Sequence, residues 1–255
     1  MSGDFQSARK HASFQRAFFW GGALLLFFAA WGIRLGYFLS DSLIARDGLV
    51  YISLLERFAN SEDLLSENAD IFHVPPLFLL IIRCGMSFGL SAKIAILTVN
   101  LFCGAAIPAF VFWLLLRLKK DNMVAISIAG LTVVFPLLVE ISIQLLREPL
   151  YLFFLFSSAT FAVYAPSFIR SRFVINGFFA AFLAACGCFI RFEAIIVAGL
   201  LTLFWLYRSI RGKKIFAGMT AWSLGAVSLF IIVFLNFPLS KIFLFFTERM
   251  TGVLQ

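Results

Sequence analysis

Charged residues are scarce in this sequence. Lysine, arginine, aspartate and glutamate make up 13% of the 255 residues, whereas a soluble domain carries about 25%. Apolar residues reach 62%, and the mean hydropathy is +0.99. This composition excludes a soluble globular domain and indicates a chain whose solvent is mostly lipid. The net charge of +8 therefore bears on orientation in a membrane, and no nucleic-acid partner is expected.

Motifs that carry chemistry in soluble proteins are also missing. The four cysteines lie within apolar stretches, and no two have the CxxC spacing of zinc and redox sites. Cys186 and Cys188 point to different faces of a helix, so they cannot share a metal ion. No Rossmann-like glycine motif occurs, and neither a metal nor another cofactor is expected. No fixed-period repeat supports a solenoid or an inverted-repeat transporter.

Long apolar runs predict an all-α, polytopic membrane protein with about seven transmembrane helices. The predicted spans lie at 18–39, 92–116, 123–139, 149–164, 173–190, 194–207 and 215–235. A further run at 75–88 has only about 14 residues, opens with two prolines and carries Arg83 at its middle, which predicts an interfacial or re-entrant helix. Residues 1–255 are therefore expected to form a single membrane domain.

The basic residues predict the orientation of these spans. Every acidic residue except Asp4 and Asp121 falls on one side of a seven-span arrangement. Lysine and arginine cluster on the other side, which is expected to be cytoplasmic and to include the N-terminus. These clusters lie at 9–16, 117–120, 170–172 and 208–214. The expected setting is a bacterial inner membrane.

The segments on the opposite side differ in length. Residues 40–90 form a long, acidic external loop, and residues 236–255 form a short external tail. Within the loop, Leu49, Ile52 and Leu55 recur at helical spacing and predict an amphipathic juxtamembrane helix over 48–60. Such a helix is expected to lie on the outer membrane surface.

Ionisable residues at the outer ends of different predicted segments are the main functional signal, because such residues are costly at membrane depth. Arginine binds phosphate oxygens and a buried carboxylate acts as a base, so a converging set suits a phosphate-bearing substrate. The alternative is structural: Arg147 pairs with Glu140 or Glu148, and Arg191 pairs with Glu193. The residues concerned are Asp47, Glu140, Arg147, Glu148, Arg191 and Glu193.

Three segments resemble, in order, the N-terminal membrane module of GT-C glycosyltransferases of the protein O-mannosyltransferase and lipid A aminoarabinose transferase type. The first combines Arg34 with Ala-Arg-Asp-Gly-Leu-Val-Tyr at 45–51. The second is His-Val-Pro-Pro-Leu at 73–77. The third is Arg-Glu-Pro-Leu-Tyr at 147–151, followed by Arg191. The resemblance leaves the last two predicted spans unmatched.

This resemblance implies an inverting transfer at the outer membrane face from a donor sugar linked to polyprenyl phosphate. By position, Asp47 is the implied catalytic base, Glu148 a second catalytic acid and Arg191 a phosphate ligand. The remaining residues implied in substrate binding are Tyr51, His73, Arg147 and Glu193. The reaction needs no general acid, because polyprenyl phosphate is already an acceptable leaving group.

Two other functions fit the same sequence. The first is a non-catalytic membrane protein that binds polyprenyl phosphate or serves as an accessory subunit. The second is an unrelated seven-span transporter or receptor. The transporter or receptor is less attractive, because the predicted cytoplasmic loops are short and acidic residues are absent from mid-span. Family members are usually much longer, so a second membrane subunit or self-association is expected to close the site, beside contacts with membrane lipid.

Overall fold

The computed structural model describes residues 2–40, 44–60, 75–118, 121–164 and 170–236. These residues form α-helices and contain no β-strand. The predicted ligand His73 and the tail beyond residue 236 lie outside the described residues. In chain order the helices are α1 (Ser2–Ser40), α2 (Arg46–Asn60), α3 (Pro76–Met86), α4 (Ala92–Arg117), α5 (Asn122–Val134), α6 (Pro136–Ile143), α7 (Glu148–Tyr164), α8 (Arg170–Ile190), α9 (Ala194–Arg211) and α10 (Ile215–Asn236).

Five of the described helical segments are long and apolar enough to cross a membrane. The shortest has 18 residues, which corresponds to about 27 Å of helix against a hydrocarbon core of about 30 Å. These segments match five of the predicted spans and fit an integral membrane protein. They are Phe18–Ser40, Ala92–Arg117, Ser171–Ile190, Ala194–Arg211 and Ile215–Val233.

The other two predicted spans do not form single helices of membrane-spanning length. The run at 123–139 is interrupted at Phe135, and the helices on either side are bent by 47°. Pro136 explains the break, because it lacks an N–H and forces Phe135 into an extended conformation with ψ of 115°. The run at 149–164 forms α7, which has 17 residues. Helix length therefore supports five spans, or six with the bent pair, and does not confirm seven.

The short helices α2 and α3 pack into the core. Helix α3 has 11 residues, about 16 Å of helix, and its Phe78 and Ile82 are fully buried. In α2 the buried face carries Tyr51 and Leu55, whereas Leu49 is 55% exposed. The apolar face expected from Leu49, Ile52 and Leu55 therefore coincides only in part with the buried face of α2. Leu49 faces outward and Tyr51 is buried instead, because α2 packs against protein as well as facing outward.

Helix α4 is the central element of the bundle. In its apolar window 67% of residues are buried inside the protein, against 17% in α9. The run Gly104–Ala106 and Ala109 are all buried, and such small residues allow neighbouring helices to approach closely. Helices α1, α5 and α7 pack around α4. Most of the apolar window of α1, α9 and α10 is not buried inside the protein, so much of these three helices faces lipid.

Candidate functional site

Two clusters of charged side chains lie at opposite ends of the bundle. At one end, which we call the mixed-charge end, Arg191 beyond α8 contacts Glu148 at the start of α7. At the other, the basic end, Arg117 in the last turn of α4 lies over the ring of Tyr164 in the last turn of α7. Helix α7 therefore connects the two ends.

Arg191 is the centre of an ion-pair network at the mixed-charge end. Its Nη1 donates to Glu148 Oε1 at 3.1 Å, and its Nη2 donates to Glu193 Oε1 at 3.2 Å. Its Nε also donates to Glu193 Oε2 at 3.4 Å. The guanidinium carbon lies 5.7 Å from the ring centroid of Tyr151, within the range of a cation–π interaction. The network joins the start of α7 to the turn between α8 and α9.

These contacts favour the ionised forms of both Arg191 and Glu193. The hydrogen bond from Arg191 lowers the pKa of the Glu193 carboxyl, against the opposing effect of partial burial. Burial by itself would lower the pKa of Arg191, but the hydrogen bond and charge of Glu193, together with the charge of Glu148, raise it above the usual value. The pair is therefore charged at neutral pH.

Glu148 retains an acceptor that no described group uses. Its Oε1 accepts from Arg191, whereas its Oε2 is buried and has no hydrogen-bond partner among the described residues. Glu148 lies in the first turn of α7, where the partial positive charge of the helix N-terminus favours a carboxylate. Since a buried polar atom normally has a partner, Oε2 is a candidate acceptor for a substrate hydroxyl.

The turn that presents Glu148 is held by helices distant in sequence. Leu145 adopts φ of 58°, which is strained for a residue with a side chain, and it is fully buried in the core. The buried Asn100 of α4 donates through Nδ2 to the carbonyl oxygen of Leu146 at 2.7 Å. Gly48 approaches from α2, where a Cβ would lie 2.9 Å from the carbonyl oxygen of Gln144. The turn is thus positioned by both α2 and α4.

The close approach of Gly48 to Gln144 brings the neighbouring Asp47 to the mixed-charge end. Asp47 is exposed in the first turn of α2, and no ion pair within the described part of the chain involves it. Tyr51, one turn further along, is only 5% exposed, and its ring centroid lies 5.1 Å from that of Phe78. Tyr51 therefore packs from α2 against α3.

The predicted site residues thus have different surroundings. Arg191 contacts both Glu148 and Glu193. The contact with Glu193 is the ion pair that the structural alternative expected. Arg147 lies close enough for its charge to lower the pKa of Glu193. Glu140 instead accepts a hydrogen bond from Gln144 Nε2 at 2.7 Å. Sequence reasoning did not identify Glu148 as a partner of Arg191, because no local spacing relates them.

A cavity of about 540 Å³ opens between α1 and the bent pair of helices α5 and α6. Gln144 lines the cavity and also belongs to the turn beside Gly48, so the cavity reaches the mixed-charge end. Sequence reasoning missed this cavity, although a proline within an apolar run predicts a helix break. Its walls are mostly apolar and include Ile33, Tyr37, Val134, Pro136, Val139 and Ile143, with Glu140 and Gln144 adding polar groups.

Arg34 lies beside the same helix break and is completely buried. Its Nη1 donates to the carbonyl oxygens of Ala30 at 3.0 Å and Val133 at 3.3 Å, and its Nε donates to Ser142 Oγ at 3.3 Å. Because Pro136 interrupts the helix, the carbonyl of Val133 needs a donor from elsewhere, and Arg34 supplies it. Arg34 is therefore a structural residue of the bundle.

The described residues contain no group of three or more histidine, cysteine, aspartate or glutamate side chains that could hold a metal ion. No protein-family model, curated protein or solved structure matches the chain.

Proposed function

We propose that the chain is a membrane glycosyltransferase of the GT-C type that uses a polyprenyl-phosphate-linked sugar as donor. The supporting observation is that an exposed carboxylate at Asp47, the charged network around Arg191 and a mostly apolar cavity lie at the same end of a helical membrane protein. These features suit, respectively, the acceptor hydroxyl, the sugar phosphate and the polyprenyl chain.

In this proposal Asp47 is the catalytic base. Its carboxylate takes the proton of the acceptor hydroxyl while the hydroxyl oxygen attacks the anomeric carbon of the donor. The bond between that carbon and the phosphate oxygen breaks, and polyprenyl phosphate leaves with the electron pair. The new bond forms on the opposite face of the sugar, so the anomeric centre is inverted.

Arg191 and Arg147 stabilise the charge that develops on the leaving phosphate. Arg191 directs three N–H groups to carboxylates, which leaves about two of its five donors for phosphate oxygens. The buried Oε2 of Glu148 accepts a hydrogen bond from a hydroxyl of the donor sugar. The ion pairs therefore orient the arginine before the donor binds.

The proposal includes seven spans, with the N-terminus in the cytoplasm of a bacterial cell and the mixed-charge end outside. Helix α7 reaches both ends of the bundle despite its 17 residues, which supports counting it as a span. The bent pair α5 and α6 returns the chain from the basic end to the mixed-charge end, which supports the same count. The concentration of basic side chains at the opposite end agrees with a cytoplasmic location.

A second candidate function is non-catalytic binding of polyprenyl phosphate, alone or as an accessory subunit. The observation that favours it is the pairing of Arg191 with both Glu148 and Glu193. Two carboxylates offset the charge of the guanidinium and weaken its attraction for a phosphate. In this case the chain binds the lipid, and Asp47 has no role in turnover.

Donor turnover tests the two candidates directly. The purified full chain is incubated with polyprenyl-phosphate mannose or polyprenyl-phosphate aminoarabinose and with heat-treated membrane extract as the source of acceptor hydroxyls, and released polyprenyl phosphate is quantified by mass spectrometry. Asp47→Asn is expected to reduce release by about 10²–10⁴-fold, because the amide cannot accept the proton. Glu56→Gln changes another exposed carboxylate of α2 and is expected to have no effect.

The outcomes separate the candidates. Equal release by wild type and Asp47→Asn would show that Asp47 is not the base. Binding of either donor without release by the wild type would support the accessory protein and contradict the enzyme.

A further inference from the structure

The basic end contains a second charged cluster that the proposed reaction does not use. The guanidinium carbon of Arg117 lies 5.4 Å from the ring centroid of Tyr164. Arg208 of α9 donates through Nη1 to the carbonyl oxygens of Ala162 and Val163, at 2.6 and 2.9 Å. Two guanidinium groups from different helices therefore converge on the last turn of α7.

This convergence brings like charges together. Arg117 contacts Tyr164 and Arg208 contacts the two residues just before it, so two positive charges lie close together and repel each other. The carbonyl groups at the C-terminus of α7 supply only a partial negative charge, and the ring of Tyr164 adds a modest cation–π attraction. Within the described ranges no carboxylate forms an ion pair with Arg117, which is itself exposed. An anion from outside the protein would relieve the repulsion.

The neighbouring residues strengthen the positive potential at this end. Three further basic side chains are exposed there. Arg172 lies in the first turn of α8, Arg211 is the last residue of α9, and Lys213 lies just beyond α9. The carboxylate of Asp121 caps α5, because its Oδ1 accepts from the backbone N–H of Met123 at 2.7 Å, and among the described residues it forms no ion pair with a basic side chain. The basic end thus presents several cations around the Arg117 and Arg208 pair.

We propose that Arg117 and Arg208 bind the phosphate of an anionic phospholipid headgroup. Both lie at the ends of membrane-spanning helices, where headgroups rather than hydrocarbon surround the protein. Guanidinium groups donate paired N–H groups to phosphate oxygens, and basic pockets between spanning helices bind anionic headgroups. Charge complementarity and exposure of Arg117 identify a lipid of the surrounding leaflet as the occupant. The bound headgroup links α4, α7 and α9.

Native mass spectrometry of the full chain with added phosphatidylglycerol tests this site. Arg117→Gln is expected to weaken phosphatidylglycerol binding by about fivefold, which corresponds to the loss of one cation near the headgroups. Lys93→Gln removes the same charge from the opposite end of α4, at another exposed position, and is expected to leave the affinity unchanged. Arg117→Lys keeps the charge without the paired donors and should give an intermediate affinity.

Three results would overturn the proposal. The first is an equal affinity of wild type and Arg117→Gln, and the second is an equal loss in Lys93→Gln, which would indicate unspecific attraction. The third is displacement of phosphatidylglycerol by an equal concentration of inorganic phosphate, which would make a free anion the occupant. Thermal unfolding of each variant without lipid checks that the variants are folded. If Arg117→Gln is misfolded, the affinity of Arg117→Lys is the test: weaker binding than wild type supports the proposal, and unchanged binding overturns it.

Discussion

At the scale of single residues, Arg191 has both a structural and a proposed catalytic role. It forms hydrogen bonds to Glu148 and Glu193 from different nitrogen atoms, so its plane is oriented by two carboxylates. Its side chain is 30% exposed, and ion pairs as exposed as these contribute modestly to stability. The main effect of the network is therefore orientation, which an arginine provides through its planar, forked donors.

Arg191→Lys is expected to reduce donor turnover by about tenfold or more. A lysine ammonium is a single point charge and cannot contact both carboxylates and a phosphate in the arrangement of the guanidinium. The loss of one charge-assisted hydrogen bond, about 1.5–3 kcal/mol, is sufficient for this effect. Arg83→Lys, at an exposed position of α3, serves as the control and should retain wild-type turnover. Equal turnover in both variants would argue against a role of Arg191 in the reaction.

At the scale of elements, one face of α4 positions both the helix break and the turn before α7. Asn100 and Gly104 are one turn apart and therefore lie on the same face. Asn100 donates to the Leu146 carbonyl, whereas Gly104 leaves room for Arg34 and Ser142. The helix break and the turn that presents Glu148 therefore contact the same face of α4.

Gly104→Ala is expected to destabilise the protein by about 1–3 kcal/mol, as overpacking of a filled core does. The added Cβ would meet Ser142 Oγ and lie 3.0 Å from Arg34 Nε, both of which are held by hydrogen bonds. Gly130→Ala in α5 is the control, because no atom lies within 4 Å of its added Cβ. Thermal unfolding in detergent should show a lower Tm for Gly104→Ala alone. An unchanged Tm for that variant would contradict the tight packing at Gly104.

At the scale of the whole molecule, the parts that depend on one helix could be predicted from the sequence. Of the seven spans that hydropathy predicted, five correspond to helices long and apolar enough to cross a membrane, and the acids and arginines of the candidate site were recognised as ionisable groups at segment ends. Contacts between distant segments could not be predicted. The buried face of α2 depends on the approach of Gly48 to Gln144, and the partner of Arg191 depends on how α7 packs beside α8. Periodicity contains no information about either contact.

Whether α7 crosses the membrane decides which turns of the chain face the outside. Helices α7, α8 and α9 separate Glu140 from Arg211, so these exposed residues lie on opposite sides of the membrane if α7 crosses it. In a background without native cysteines, an impermeant thiol reagent is expected to label Glu56→Cys and Glu140→Cys in intact cells. Arg211→Cys should react only after permeabilisation, as for a basic cytoplasmic turn. Labelling of Arg211→Cys together with Glu140→Cys in intact cells would mean that α7 does not cross, and the donor site would then need a different orientation.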